Sequence, residues 1–290
     1  GPPARPPAAP SAAPRRGRRG RRRTPVAVGA LPGLGSHHIG DGQSDPTQAW
    51  RCIEQLRRHL LRLGDRLPRW RGRPAAEDDG LLWWFLRDRR LDVDKAEQKL
   101  QDALRWRQSF RVERLGPELF SREMRARKAY LHHQRDRAGR PVLVVIAQRH
   151  NLMQRELTES CQMCAWYMEQ MMDRLATRRP PRPDAAAADA GGAEDLEVEQ
   201  ALGIIDLQNF SPLQADLEFA AFLVRAMHDY YPGRFARILL VDAPDVFRDF
   251  WVSVRPLLHR YAQLADFVTA KDVCARYFAP GEAPAELQRR

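Results

Sequence analysis

Two cysteines form the spacing with the clearest chemical meaning in the chain. Cys161 and Cys164 read C-Q-M-C, and a redox-active dithiol of this spacing lies just after a strand, where a helix N-terminus lowers the thiol pKa. The nearest predicted strand ends near Ala147, well before the pair. We therefore interpret both thiols as residues inside a helix and keep a thiol redox protein as an alternative function. Zinc requires four ligands, and no second suitable pair is near in sequence, so no metal site is predicted.

Carboxylates and imidazoles offer a second kind of chemistry. Asp206 and Asp242 each lie at the end of a predicted strand, where α/β proteins often place functional groups. A general acid and base pair also needs a positioned partner, and the sequence suggests none, so we expect hydrogen bonds to a neighbouring loop instead. His132 and His133 are adjacent in a predicted extended segment. Their side chains should point to opposite faces and not share a metal.

The sequence also lacks the short motifs of the common catalytic sites. It contains no G-x-S-x-G, no G-x-x-x-x-G-K-[ST], no H-E-x-x-H and no G-x-G-x-x-G after a strand. We therefore predict that the protein is not an enzyme and needs no cofactor.

The remaining candidate for a functional element is a helix with large apolar and aromatic side chains. Phe247, Phe250, Trp251, Val254 and Leu258 recur at helical spacing directly after an apolar β-type run. This pattern is typical of an ordinary core helix. Without other motifs, a core helix is the favoured interpretation.

Charge is unevenly distributed along the 290 residues, whose formal net charge is +11. Residues 1–45 contain eight arginines and two aspartates, so they contribute +6 and the rest of the chain +5. The folded part is therefore only mildly basic, and we predict no nucleic-acid partner. DNA or RNA binding through the run Arg15–Arg23 is kept as an alternative. Four scattered cysteines favour a reducing compartment.

Residues 1–45 are rich in Pro, Ala, Gly and Arg, so they cannot bury enough apolar surface to fold. We interpret them as a disordered basic leader. One interpretation is an organelle transit peptide with a processing site near Val26–Ala30. The other is a low-complexity segment without a targeting function. No apolar run approaches the ~20 residues that span a bilayer, so membrane contact is expected to be peripheral.

Helical patterns fill residues 46–115, the predicted N-terminal helical lobe. Apolar residues from Ala49 to Leu67 step by three and four with arginines off that face, as in a lobe helix or a membrane-surface helix. Asp78 or Asp79 is expected to cap the next helix, and Asp92 the one after.

Strands and helices alternate over residues 120–280. Strands are predicted at 142–147, 202–207, 237–242 and 267–269, and helices near 158–175 and 212–230. This alternation predicts a mostly parallel sheet. Residues 178–195 form a predicted flexible insertion, and residues 281–290 a tail. The fold class is α/β: a helical N-terminal lobe followed by an α/β lobe.

Three segments together resemble one known family. They are LLWWFLRDRRLDVDKA from Leu81, DRAGRPV from Asp136 and YYPGRFARILLVDAPDVFRDFWVSVRPLL from Tyr230, and in this order they are similar to the Sec14-like (CRAL-TRIO) lipid-transfer family. The resemblance implies a hydrophobic lipid pocket, with the aromatic helix as its mobile gate. The residues that it implies for pocket and gate are Ile205, Phe222, Leu223, Leu240, Phe247, Phe250, Trp251 and Val254.

The headgroup contacts of the family are only partly kept. The basic pair after FLR is present as Arg89 and Arg90, but Gly233 stands where the family usually has an acid. The positions linked to phosphoinositide and phosphatidylcholine recognition hold Ala262, Ala265, Ala201 and Gly203. Since arginine grips phosphate oxygens well, Arg89 and Arg90 are the expected contacts for an anionic headgroup such as that of phosphatidic acid.

The resemblance implies a protein that binds one lipid or similar apolar ligand and transfers or presents it at membrane surfaces, as a monomer. A lipid-dependent sensor or scaffold without transfer activity is the alternative. The segments RKAYLHHQRDRAGRPVLVVIAQRHN and LHRYAQLADFVTAKDVCARYF look closest to plastid-directed members of green algae and plants. A plastid location is therefore expected, with the cytoplasm as the alternative.

Overall fold

The computed structural model describes residues 45–177, 179–180 and 198–290. The arginine run Arg15–Arg23, the suggested processing site and nearly all of the predicted 178–195 insertion lie outside these ranges.

Three helices begin the described chain: α1 (Pro46–Leu63), α2 (Asp79–Asp88) and α3 (Val93–Phe110). Each starts at an aspartate whose carboxylate accepts a backbone N–H of the first turn, and two of these, Asp78 and Asp92, are the caps that the sequence suggested. The apolar stripe of α1 is buried against α2 and α3, with Ile53 and Leu56 fully enclosed. The arginines of α1 lie off this stripe, so the packing is that of a lobe helix.

A five-stranded sheet follows, in the order β1-β2-β3-β4-β5. β1 is antiparallel to β2 and all other neighbours are parallel, so the expectation of a mostly parallel sheet is confirmed. The strands are β1 (Ala129–Leu131), β2 (Val142–Ile146), β3 (Ala201–Asp206), β4 (Phe235–Val241) and β5 (Ala265–Val268).

Within the described ranges, five further helices surround the sheet, after a short α4 (Ser121–Ala126) that precedes β1. Because the strands follow one another in sequence order and parallel crossovers are right-handed, α5, α6 and α7 must cover the same face. They and the C-terminal pair are α5 (Leu157–Met172), α6 (Leu217–Arg225), α7 (Asp245–Leu258), α8 (Ala270–Tyr277) and α9 (Ala285–Gln288).

The C-terminal helices lie on the opposite face. Tyr130 is paired with Val144, so both side chains share a face of the sheet. The Tyr130 hydroxyl donates to the Glu286 carboxylate of α9 at 2.7 Å. The predicted tail is therefore part of the folded structure, with Leu287 buried.

Two predicted elements differ from the observed ones. The helix expected over 212–230 is divided, because the Asp216 carboxylate accepts the N–H of Phe219 and begins α6 anew. A π-helical turn, Ala226–Tyr230, ends it. The last strand begins at Ala265, since that residue pairs with Ile238, and it ends at Val268.

Candidate functional site

An apolar cavity of about 240 Å³ lies between the sheet and the helices α5, α6 and α7. Side chains alternate across a strand, and those of one face form the floor: Leu143, Val145, Gly203, Ile205 and Leu240. Gly203 adds room at the centre of this floor because it contributes no side chain. A Cβ atom there would meet its nearest neighbours at 3.5 Å, an ordinary contact.

Three helices form the walls, each through residues at helical spacing. α5 contributes Met163, Cys164, Tyr167 and Met168; α6 contributes Phe219, Ala220, Leu223 and Val224; α7 contributes Phe247, Phe250, Trp251, Val254 and Leu258.

The helix α7 has apolar side chains on both of its faces. Val254 faces the cavity and is 6% exposed, whereas Val252, on the outer surface, is 71% exposed. Leu257 is also exposed. Pro256 lies inside the helix and has no N–H to donate to the preceding turn. The cavity is thus covered by a helix whose backbone bonding is weakened near its end.

Aromatic rings hold α7 on the edge of the sheet. The Trp251 ring meets Phe267 of β5 edge to face, with centroids 5.7 Å apart. Phe247 contacts Phe210 in the same manner at 5.0 Å.

Seven of the eight residues that the sequence suggested for pocket and gate line this cavity. Phe222 does not: its ring stacks on Phe110 of α3, with centroids 5.7 Å apart. The physical reason is helical phase, because Leu223 and Phe219 already take the cavity side of α6 and Phe222 falls on the flank. Lipid contact by the other seven stays a prediction.

A buried polar network adjoins the cavity at the carboxyl end of β2, and sequence patterns gave no sign of it. The Lys128 ammonium lies 2.5 Å from a Glu123 carboxylate oxygen and 3.2 Å from His150 Nδ1. His150 Nε2 lies 3.1 Å from the Asp216 carboxylate, and the Ser160 hydroxyl donates to Glu123 at 3.1 Å. All five side chains are buried and line the cavity.

The partners of His150 define its protonation. Lysine has only donors, so His150 Nδ1 accepts from Lys128 and Nε2 carries the hydrogen that is donated to Asp216. Burial, and then the Lys128 charge, lower the pKa of His150, so the ring is neutral near pH 7. Burial opposes ionisation of Asp216, but its ion pair with Arg155 and its hydrogen bonds outweigh this and lower its pKa.

The model of the CRAL/TRIO domain matches residues 124–287, more than half of the chain. The chain belongs to the CRAL/TRIO domain family. Its Sec14-like relatives include the phosphatidylinositol/phosphatidylcholine transfer protein SFH7 of Arabidopsis thaliana, 26% identical over 211 residues that cover 69% of this chain and 36% of the relative. The SEC14 cytosolic factor of Candida glabrata is 24% identical over 239 residues, covering 80% and 71%.

Solved structures agree on the fold. The crystal structure of Sfh5 superposes with a TM-score of 0.60 at 12% identity and covers 81% of this chain and 84% of its own. The chain spans about a third of the length of SFH7 and of two further plant relatives, SFH14 and SFH12.

The basic pair expected at the headgroup lies elsewhere in this CRAL/TRIO structure. Arg89 and Arg90 follow α2 and do not line the cavity. The Arg89 guanidinium is 3.3 Å from the Asp88 carboxylate and faces a surface depression shared with Arg225 and Tyr230. Their role toward a headgroup stays a prediction.

The other candidate residues have structural partners in the CRAL/TRIO fold. Burial raises the pKa of Cys161 to about 12 and that of Cys164 further, which is opposite to the shift that a reactive thiol needs. Asp206 and Asp242 both bind the guanidinium of Arg290, at 2.6 and 2.9 Å. Each also accepts a backbone N–H, Asp206 from Gln208 at 3.1 Å and Asp242 from Ala270 at 3.0 Å. The expected hydrogen bonds to a neighbouring loop are therefore present, and the Arg290 cation adds to them.

The two adjacent histidines differ from the expectation that they point to opposite faces. The rings of His132 and His133 are in contact, with centroids 4.5 Å apart, because β1 ends at Leu131 and the chain turns there. His132 Nε2 lies 2.7 Å from the Glu282 carbonyl oxygen and donates to it.

One surface group in the described ranges has metal-ligand spacing. Potential ligand atoms of His59, Asp94 and Glu97 lie within 4.8 Å of one another. His59 Nδ1 is already hydrogen-bonded to Glu97 at 2.8 Å. None of the described helices is long and apolar enough to cross a bilayer.

Proposed function

We propose that this chain binds a single lipid, or a similar apolar ligand, in the cavity under α7 and transfers or presents it at membrane surfaces. The observation that carries the proposal is the cavity itself, which is walled by apolar side chains of the sheet and three helices. Each methylene removed from water contributes about 0.8 kcal/mol, so an acyl chain gains most of its binding free energy from such a wall. The proposed activity has no covalent step.

Exchange is proposed to occur at a bilayer when α7 moves outward. Support comes from the exposed apolar residues Val252 and Leu257 on the outer surface of α7 and from Pro256 within it. A volume of about 240 Å³ is below the ~300–1,000 Å³ of ordinary ligand pockets, so the cavity must enlarge to hold a two-chain lipid, and outward movement of α7 is the proposed route. The names of the plant relatives, phosphatidylinositol/phosphatidylcholine transfer proteins, agree with such an activity. The protein is proposed to act as a peripheral monomer.

The finer assignments belong to the same proposal. Arg89 and Arg90 are proposed to contact an anionic headgroup such as that of phosphatidic acid, and residues 1–45 to direct the protein to a plastid. Charge reversal of both arginines should weaken binding to vesicles containing phosphatidic acid. A fluorescent protein carrying residues 1–45 should accumulate in the plastids of a plant or green alga, and cytoplasmic fluorescence would support the alternative.

The decisive experiment is identification of what the protein holds. Purified protein is analysed by native mass spectrometry and solvent extraction, and is then loaded with a fluorescent phospholipid and mixed with acceptor vesicles. One co-purified lipid per chain and movement of the label between vesicles are expected. A protein that holds the label without moving it is a sensor or scaffold, and one that takes up no lipid contradicts the proposal.

A further inference from the structure

The buried network beside the cavity has an incompletely used donor. The Lys128 ammonium has three N–H groups; it forms an ion pair with Glu123 and a hydrogen bond with His150, so that at most two of the three are engaged. In the parts of the chain that are described, no acceptor meets the third. Lys128 is itself 8% exposed and lines the cavity. A ligand in the cavity therefore lies beside a residue whose buried ammonium has a hydrogen bond to give.

Neighbouring polar groups are already engaged. The Ser160 hydroxyl donates to Glu123, the Tyr167 hydroxyl donates to the Ala129 carbonyl at 2.6 Å, and the Gln214 amide donates to the His150 carbonyl at 2.9 Å. Most of the polar atoms around the cavity thus face one another, which leaves the remaining wall apolar.

Each cation of the network has an anionic partner without a ligand. Lys128 faces Glu123, Arg155 faces Asp216 and the exposed Glu218, and His150 between them is neutral. A ligand carboxylate or phosphate at this point would be an additional buried charge with only a shared partner, which is costly. An uncharged oxygen accepts the free N–H without disturbing this pairing.

We propose that Lys128 selects ligands that carry an uncharged oxygen acceptor, such as a ketone or ester carbonyl or a hydroxyl, on the part that enters the cavity. This inference rests on the proposed lipid-binding function and adds a specificity-determining residue to it. The acceptor binds at the carboxyl end of β2, and the hydrocarbon remainder lies along the floor toward α7.

Competition between matched ligands tests this. Three linear compounds of equal carbon number, an alkane, its methyl ketone and its carboxylic acid, are delivered from cyclodextrin to displace anilinonaphthalene sulfonate from the full chain. A hydrogen bond from a charged donor is worth about tenfold or more in affinity. The ketone should therefore compete at about a tenth of the alkane concentration, and the acid should be no better than the ketone.

Variants locate the effect. Removing Lys128 alone would leave Glu123 buried and unpaired, so both are changed together, Lys128→Met with Glu123→Gln. In this double variant the ketone and the alkane should displace the dye at about the same concentration, and alkane binding should be unchanged. The control replaces another buried pair, Lys99 and Asp88, whose charged atoms are 2.6 Å apart in the helical lobe. Lys99→Met with Asp88→Asn should keep the advantage.

The outcomes separate the two proposals. Equal competition by alkane and ketone in the wild type, or strongest competition by the acid, overturns the inference but leaves lipid binding supported. A ketone advantage that persists in the folded Lys128 variant also overturns it. Failure of all three compounds to displace the dye contradicts the proposed function itself. If the double variant does not fold, the wild-type comparison decides.

Discussion

The phenol ring of Tyr230 lies parallel to the indole ring of Trp106, with centroids 3.9 Å and planes 8° apart. The following residues extend the contact: Tyr231 meets the same indole edge to face at 6.0 Å, and the Trp84 indole donates to the Pro232 carbonyl at 2.6 Å. The turn that leads into β4 is therefore fastened to α2 and α3. This contact joins the helical lobe to the strand that forms part of the cavity floor.

Removing either ring should destabilise the fold and remove a shared interaction. Tyr230→Leu and Trp106→Leu should each lower the free energy of unfolding by about 1–3 kcal/mol, because they lose buried area and the ring pair. The double variant should lose about 1 kcal/mol less than the sum of the two. Urea unfolding measures all three, with Leu61→Ala on the exposed side of α1 as control. Strict additivity would show that the stack contributes nothing.

Arg290 is expected to stabilise the end of the sheet through its two carboxylates. Arg290→Ala leaves Asp206, which is 1% exposed, without its cation, and should cost about 2 kcal/mol in unfolding free energy. Arg289→Ala changes an exposed arginine beside it and should cost less than ~0.5 kcal/mol. Thermal and urea unfolding compare the two variants. Equal losses would mean that the ion pairs carry no net stability.

Local patterns predicted most of the elements that build the cavity. These signals are local in sequence and can be recognised within a few residues. They are aspartate at helix starts, runs of β-branched residues, and the three-four spacing of Phe247, Phe250 and Trp251. The same locality explains the error at Phe222. Neighbouring apolar residues look alike in sequence, and only the packing of α6 decides that Phe222 meets Phe110 instead of the cavity.

The polar network had no local signature. Lys128, His150 and Asp216 lie on separate segments and meet only when β1, β2 and α6 are assembled. A lysine before a strand and a histidine after one are ordinary surface residues by pattern. These side chains can be buried only because they form ion pairs and hydrogen bonds with one another, and neither composition nor residue spacing predicts those contacts. Arg290, far in sequence from both of its aspartates, was missed for the same reason.

The network should make stability fall in mild acid. The pKa of His150 is lowered in the folded protein, so below about pH 6.5, the ordinary pKa of histidine, the unfolded state binds the proton first. Stability present above this pH is then lost as the pH falls, by up to about 1.4 kcal/mol per pH unit. His150→Gln, whose amide can accept from Lys128 and donate to Asp216, should remove this contribution.

Urea unfolding between pH 7.5 and 5.5 measures the difference between wild type and variant. The pKa of His132 is also lowered, so the wild-type slope contains both residues and the comparison isolates His150. The carboxylate of Asp216 titrates below this range, because its pKa is lowered from the ordinary value. Identical pH profiles would contradict a neutral, buried His150.

Filling the floor of the cavity should displace ligand without harming the fold. In Gly203→Val the new Cβ lies at ordinary contact distance from Ile238 and Phe235, and a β-branched residue suits a strand. Unfolding free energy should stay level or rise by up to ~1 kcal/mol, while co-purified lipid falls several-fold. Gly203→Ala should lie between wild type and Gly203→Val. A full lipid complement in the valine variant would place the ligand elsewhere.

Substitutions of two valines on α7 should distinguish lipid binding from lipid transfer. Val254→Asp puts a carboxylate into the apolar wall, which is unfavourable by several kcal/mol, so bound lipid should be lost. Val252→Asp changes the same residue type on the outer surface and should leave bound lipid intact. It should slow transfer between vesicles, since a charge opposes entry of that surface into a bilayer.

Mass spectrometry measures bound lipid, and vesicle assays measure transfer, for both variants. Circular dichroism verifies that Val254→Asp is folded, and Val254→Thr provides a milder change at the same position, with Val252→Thr as its match. Because a hydroxyl on the cavity wall lacks a partner in the ligand's hydrocarbon, only the Val254 substitution should reduce bound lipid. Equal losses at the two positions would show that α7 does not separate a lipid-facing surface from a membrane-facing one.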